Sequence, residues 1–249
     1  MDVTRVTVRF LGSGDAFGSG GRFQACIHVR STESSVLLDC GASSLIAMRR
    51  FGVEPNDIDA ILISHVHGDH FGGIPFFVLD GQFLSKRELP LVIAGPPGVE
   101  ERVRQAQEAL FAGSSRTQQK YEIRFLEWRD RQEAAVGGLA VTPFEVVHAS
   151  GAPPFALRLE GKGKTIAYSG DTEWTDALAE AAEGVDLFIC EANFYDKSVK
   201  FHLDYETLMA HRDDIRCKRL VVTHMNAEML ARLDSLEVEM AEDGKQIVL

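Results

Sequence analysis

Three histidines and an aspartate fall within six residues, His65-Val66-His67-Gly68-Asp69-His70, directly after the apolar run Ala60-Ile61-Leu62-Ile63-Ser64. Such a run reads as a buried strand, and the Phe71-Gly72-Gly73 that follows opens a helix-like stretch. The chain must therefore end a buried strand and turn, with the turn facing a pocket, which is where layered α/β proteins place their sites. Two histidines two apart on extended chain point the same way. Gly68 is expected to let the backbone turn so that Asp69 and His70 reach a different point. Four nitrogen and oxygen donors aimed in two directions suit zinc, and exceed what one ordinary site uses. Surface histidines, with Asp69 only capping the next helix, are the plain alternative, and the density of donors weighs against it.

Strand-like segments at residues 3–11, 25–29, 36–38, 60–64, 91–94, 139–147, 155–159, 165–168, 185–190 and 220–223 alternate with helical patterns. The helical ones cover 43–50, 71–84, 99–111, 174–183, 205–211 and 227–233, so the class is layered α/β with mixed strand directions. A polar stretch at 113–120 is either a flap or a surface connection. No motif repeats and no linker breaks the chain, so one domain over residues 1–249 is expected. The 249 residues suffice for a core without disulfide staples. A formal charge of −11 argues against non-specific grip on nucleic acid or anionic membrane, although bound divalent cations would offset it locally. The four cysteines, Cys26, Cys40, Cys190 and Cys217, show no C-x-x-C pattern and read as free thiols. With no signal-peptide pattern and no membrane-length apolar run, a cytoplasmic protein is expected.

His65-x-His67-x-Asp69-His70 resembles the signature of the metallo-β-lactamase superfamily, and further segments follow in that family's order. Leu37-Leu38-Asp39-Cys40-Gly41 is similar to its first motif, and Val146-Val147-His148 to its lone metal histidine. Ser169-Gly170-Asp171-Thr172 resembles its bridging-aspartate segment, and Val222-Thr223-His224 its last histidine. The resemblance spans about residues 5–225. It implies a four-layer αββα sandwich, two mixed β-sheets flanked by helices, holding two divalent metal ions: zinc first, manganese or iron as alternatives. One ion would be held by His65, His67 and His148, the other by Asp69, His70 and His224. Asp171 would bridge them, Asp39 would orient a ligand histidine, and Asp69 would also count as catalytic. Such ions, ~3.5–4 Å apart, acidify bound water toward a pKa of ~7 and clamp the oxygen that gains charge.

That scaffold hosts lactam, thioester, lactone, sulfate-ester and phosphodiester hydrolysis besides a di-iron redox branch, so fold alone does not fix the reaction. His67 stands where the redox branch usually carries glutamate, which favours a hydrolase. Gly12-Ser13-Gly14 and the form His-x-His-Gly-Asp-His resemble the ribonuclease Z branch, though a plain turn would also use those glycines. Ile189-Cys190-Glu191-Ala192-Asn193-Phe194 is similar to that branch's H-E-A-T-F segment with Cys190 replacing the histidine, and Phe201-His202-Leu203 matches the histidine that follows. The resemblance implies that Glu191 supports His202 and that His202 acts at the scissile phosphate; a surface salt bridge is the alternative. Only 23 positions separate His148 from Asp171, too few for the RNA-gripping arm usual in ribonuclease Z. The expected activity is hydrolysis of small phosphodiesters or nucleotides, without stable nucleic-acid binding, by a monomer or homodimer. The rivals are a lactone, thioester or sulfate-ester hydrolase and a non-catalytic metal-binding regulator. With only Cys26 near the N-terminus, no structural zinc is expected. His28 and His211 match no ligand motif, and Arg22 is either a substrate-anion contact or a plain loop residue.

Overall fold

Strands β1 (Thr7–Gly12), β2 (Cys26–Arg30), β3 (Ser35–Leu38), β4 (Ala60–Leu62), β5 (Leu91–Gly95) and β6 (Ile123–Glu127) lie side by side in one sheet. A second sheet runs from β7 (Ala134–Val136) through β8 (Leu139–Glu145), β9 (Phe155–Gly161), β10 (Lys164–Tyr168), β11 (Leu187–Glu191) and β12 (Leu220–Thr223) to β13 (Glu239–Met240). Strand β14 (Gln246–Val248) returns to pair with β1. The computed structural model describes residues 5–249, so the expected strand start at residue 3 lies outside the described residues. Each sheet makes three antiparallel pairings followed by three parallel ones. Strands β3 and β10 hold the same place in the two sheets, where antiparallel pairing gives way to parallel. Asp39 and Asp171 follow these two strands.

Burial on both faces explains why the central strands are apolar runs without alternation. Along β4, Ala60 and Leu62 pack between the sheets, while Ile61 faces the helices. Along β11, Leu187 and Ile189 point inward, and Phe188 and Cys190 outward. Helices α1 (Ser44–Phe51), α2 (Gly68–Phe71), α3 (Ile74–Phe83) and α4 (Val99–Leu110) lie on the first sheet's outer side, and α5 (Asp176–Ala182), α6 (Tyr205–Ala210) and α7 (Ala227–Leu230) on the second's. The result is the expected αββα sandwich. Among the described residues no helix is long and apolar enough to cross a membrane.

The expected helix at 71–84 is interrupted. Gly72 and Gly73 separate α2 from α3. A Cβ on Gly73 would lie 2.2 Å from the Gly41 carbonyl oxygen, and one on Gly41 would lie 2.2 Å from that of Asp69. The turn is thus clamped against the end of β3, a long-range contact that local periodicity does not carry. Strands β6, β7, β13 and β14 were not among the expected ones because they are short or partly exposed, with weak patterns. The 113–120 stretch is tied to α3 and α4: the Gln82 side-chain amide donates to the Gln118 carbonyl at 3.0 Å, and Ser115 Oγ donates to Glu108 at 2.6 Å.

His28 is buried in β2 with Nε2 2.9 Å from Ser35 Oγ. Desolvation, with Arg30 and Arg9 nearby, lowers its pKa to about 4. The unfolded chain therefore binds this proton first, so stability present above the ordinary histidine pKa is lost as pH falls toward 4. His28→Gln should remove ~2–3 kcal/mol of the decline between pH 7 and 4.5, read by urea unfolding in chelator. An unchanged decline would show that His28 is not the titrating group.

Candidate metal centre

Asp39 follows β3, His65 follows β4, His148 follows β8, Asp171 follows β10 and His224 follows β12, while Glu191 ends β11. The strand directions bring all six ends to one edge of the sandwich, the usual ligand position in α/β sheets. His67 is extended (φ −82°, ψ 151°) and precedes α2, which carries Asp69 and His70. The chain turns into α2 at Gly68 as expected, but the turn does not use a glycine's conformational freedom. Gly68 has no positive φ, and a Cβ there would meet nothing within 4 Å.

Two donor sets form, each with its ligand atoms within 4.8 Å of one another: His65, His67 and His148; and Asp69, His70, Asp171 and His224; a third such group, His148, Asp171 and His202, draws on members of both. Asp171 faces both. Its Oδ2 lies 3.9 Å from His65 Nε2 and 3.3 Å from His224 Nε2, and its Oδ1 lies 3.3 Å from His70 Nε2. His65 Nε2, His70 Nε2 and Asp171 Oδ1 are buried without a hydrogen-bond partner. Burial would make such orphans costly unless an ion satisfied them, so the donor set fits a metal. Protonation agrees. Desolvation lowers the pKa values of His65, His148 and His224, keeping their lone pairs free. Burial opposes charge on Asp69 and Asp171, yet the surrounding histidines outweigh it; Asp69 falls to about 2 and Asp171 goes well below its usual value. Burial also opposes charge on His70, but Asp171, Asp69 and Asp39 raise its pKa well above the usual value. The excess carboxylate that retains this proton is what a divalent ion would neutralise.

Orientation comes from behind the cluster. Asp39 is fully buried and accepts from Ser64 N (2.7 Å), Ser64 Oγ (2.8 Å), Tyr168 Oη (2.8 Å) and His70 Nδ1 (2.7 Å). His148 Nδ1 donates to the Phe201 carbonyl at 2.7 Å. Asn193 Nδ2 donates to the His224 carbonyl at 2.8 Å. Asp39, Phe201 and His224 have φ of 58°, 74° and 59°, three of the six non-glycine positive values among the described residues. Such backbone persists where its surroundings over-determine it. The supporting roles of Ser64, Tyr168 and Asn193 were not foreseen, although Ser64 and Tyr168 end expected strands and Asn193 lies in a recognised segment.

Glu191 and His202 also meet here. Glu191 is fully buried, and its carboxylate accepts from Thr172 N and bonds His202 Nδ1 at 3.0 Å. His202 Nδ1 lies 3.9 Å from Asp171 Oδ2. Burial opposes charge on His202, but Glu191 and Asp171 outweigh it and raise the pKa to about 9. With Glu191 fully buried and His202 partly so, the pair is not the surface salt bridge offered as the alternative. Arg22 is a structural arginine: its Nη1 donates to the Ala241 carbonyl at 2.7 Å. His211 stacks on Trp174 and bonds Asp214 at 2.9 Å.

The family model described as beta-lactamase superfamily domain matches residues 34–225. The chain belongs to the beta-lactamase superfamily. Ribonuclease Z of Methanosarcina acetivorans is 25% identical over 272 aligned positions, which cover 88% of this chain and 87% of that protein. Those positions outnumber the residues of this chain they cover, so several tens of that relative's residues have no counterpart here. Human tRNase Z, short form, superposes with a TM-score of 0.77 at 24% identity, covering 97% of this chain and 98% of that one. A diphosphatase from the PhnP family gives 0.78 at 18% identity, covering 97% of both. The chain is thus similar in sequence to ribonuclease Z, and in fold to tRNase Z and to the PhnP-family diphosphatase.

Proposed function

We propose that this chain is a dinuclear metal-dependent hydrolase of small phosphodiesters. The observation that carries the reading is Asp171 standing between two donor sets with the Glu191–His202 pair beside it. One ion would be held by His65, His67 and His148, and the other by Asp69, His70 and His224, with Asp171 shared. Zinc suits the nitrogen-rich donors, with manganese or iron as alternatives. When bound, the ions acidify the attacking water and neutralise charge gathering on the phosphoryl oxygens. The chain's own residues do the rest. Asp39 fixes His70, the Phe201 carbonyl fixes His148, and Glu191 holds His202 by Nδ1. That leaves His202 Nε2 to protonate the leaving oxygen. Water adds to phosphorus, the ester P–O bond breaks, and a phosphomonoester and an alcohol result.

Substrate scale follows from chain length. Between His148 and Asp171 lie only β9 and β10, joined by a tight turn at Lys162-Gly163. The relatives named ribonuclease Z favour RNA as the rival substrate. Metal-loaded protein is expected to hydrolyse bis-p-nitrophenyl phosphate, to stop on chelation, and to process precursor tRNA poorly. Efficient, site-specific release of 3′ trailers at physiological salt would favour the rival. Turnover of lactones, thioesters or sulfate esters but no phosphodiester would overturn the reading.

A further inference from the structure

Asp243 ties the end of the chain to a segment 230 positions earlier. One of its carboxylate oxygens accepts from Ser13 N at 2.9 Å and Ser13 Oγ at 2.8 Å, and the other from Phe23 N at 2.7 Å. Asp243 stands in the turn between β13 and β14, beyond residue 225, where the match to the family model ends. Ser13 in turn lies against a histidine of the metal centre. Its carbonyl accepts from His224 N at 3.2 Å and Thr223 Oγ1 at 3.4 Å, and Gly14 bridges Met225. Resting on the dinuclear metal reading, we infer that Asp243 is a positioning residue for His224, and through it for the ion that Asp69, His70 and His224 would hold.

His224 needs main-chain support because its ring has no brace. The buried imidazoles of His65, His70 and His148 each have Nδ1 tied from behind, by Ser64 Oγ at 3.1 Å, Asp39 at 2.7 Å and the Phe201 carbonyl at 2.7 Å. His224 Nδ1 is buried without a hydrogen-bond partner among the described residues. The direction of its Nε2 therefore follows from the backbone, where φ is 59°, a left-handed value that a non-glycine residue keeps only under constraint. Two hydrogen bonds of its own peptide groups supply that constraint: His224 N to the Ser13 carbonyl, and Asn193 Nδ2 to the His224 carbonyl at 2.8 Å. The first is only as firm as Ser13. A Cβ on Gly14 would lie 2.9 Å from the Phe23 carbonyl oxygen, so the glycine lets residues 22–23 run close alongside. Asp243 bonds both segments, and its turn is fastened by Ala241 N to the Val222 carbonyl at 2.8 Å and by Arg22 Nη1 to the Ala241 carbonyl at 2.7 Å. Two carboxylate oxygens thus meet three donors, and the charge strengthens each bond. Asparagine would keep the shape but set an amide donor against one of the backbone N–H groups.

Cobalt(II) titration of the chelator-stripped protein, followed by visible absorption, reads the two sites without catalysis. Wild type should take up two ions. Asp243→Asn should bind one of them about 10- to 100-fold more weakly, the range for a group behind a metal ligand, and leave the other little changed. With one ion bound per chain, its spectrum should match that of His224→Ala, which lacks the ligand outright. Ser13→Ala, which removes only the hydroxyl bond, should show a smaller loss at the same ion, and it carries the test if Asp243→Asn does not fold. A merely structural Asp243 would lower the melting temperature of the metal-free protein without singling out one ion. Binding of both ions as in wild type, or equal weakening of both, therefore overturns the inference and leaves the dinuclear reading standing. Wild type that takes a single ion would overturn the dinuclear reading. It would still support the positioning role if Asp243→Asn and His224→Ala weakened that ion together, and would remove both if they did not.

Discussion

Asp171→Ala should empty the metal centre. The wild-type chain is expected to carry up to two divalent ions, and the variant none or nearly none, by elemental analysis after gel filtration. Its carboxylate is the one group placed between the two donor sets, facing His65, His70 and His224 at once. Its removal deprives both ions of a ligand and leaves the histidines as the main donors, with less negative charge to offset two cations. Diester hydrolysis should fall by ~10³-fold or more, because attack and charge neutralisation share the lost ions. Stability gives a second reading: binding to the folded state alone raises the melting temperature, so chelator should lower it in wild type and barely move it in Asp171→Ala. Asp39→Asn should be milder, with metal affinity reduced ~10- to 100-fold, since it touches His70 from behind and no ion directly. A single tightly held ion that survives Asp171→Ala would refute the shared-carboxylate arrangement.

What could be read from the sequence was local in character. The run before His65 is apolar because β4 is buried on both faces, and the ligand motifs lie at strand ends, where short-range patterns suffice. The seven proposed ligand residues and the Glu191–His202 pair are therefore legible in order along the chain. The unread features depend on contacts between distant segments. The break at Gly72-Gly73 exists because residues 40–41 pack against it. Tyr168 reaches Asp39 from the other sheet across 129 positions of sequence. Asn193 steadies the His224 carbonyl across 31. The shared plan of the two sheets is likewise a matter of strand pairing, and it sets Asp39 and Asp171 in equivalent places without any repeated motif. Gly68 shows the opposite error: a glycine at a turn invites a conformational explanation, yet the backbone there is one that any residue adopts.

His202→Ala separates acid catalysis from metal binding. The side chain stands beside Asp171 and forms a third donor group with it and His148, but its Nδ1 bonds Glu191 at 3.0 Å, and His65, His67, His70, His148 and His224 supply the imidazoles of the two main sets without it. Metal content should therefore persist while kcat falls ~10²–10⁴-fold on a diester with an alkoxide leaving group. For p-nitrophenolate, which departs with little need of a proton, the deficit should shrink toward tenfold or less. Glu191→Gln should act in the same direction but less strongly, because the imidazole stays and only the charge that raises its pKa is lost. A His202 that merely clamped negative charge would affect both leaving groups alike, since each transition state carries a similar phosphoryl charge. Equal deficits on the two diesters would thus assign the clamp. Full activity on both would remove the acid from the site and turn the search toward lactones, thioesters or sulfate esters, whose leaving groups would not call on this histidine.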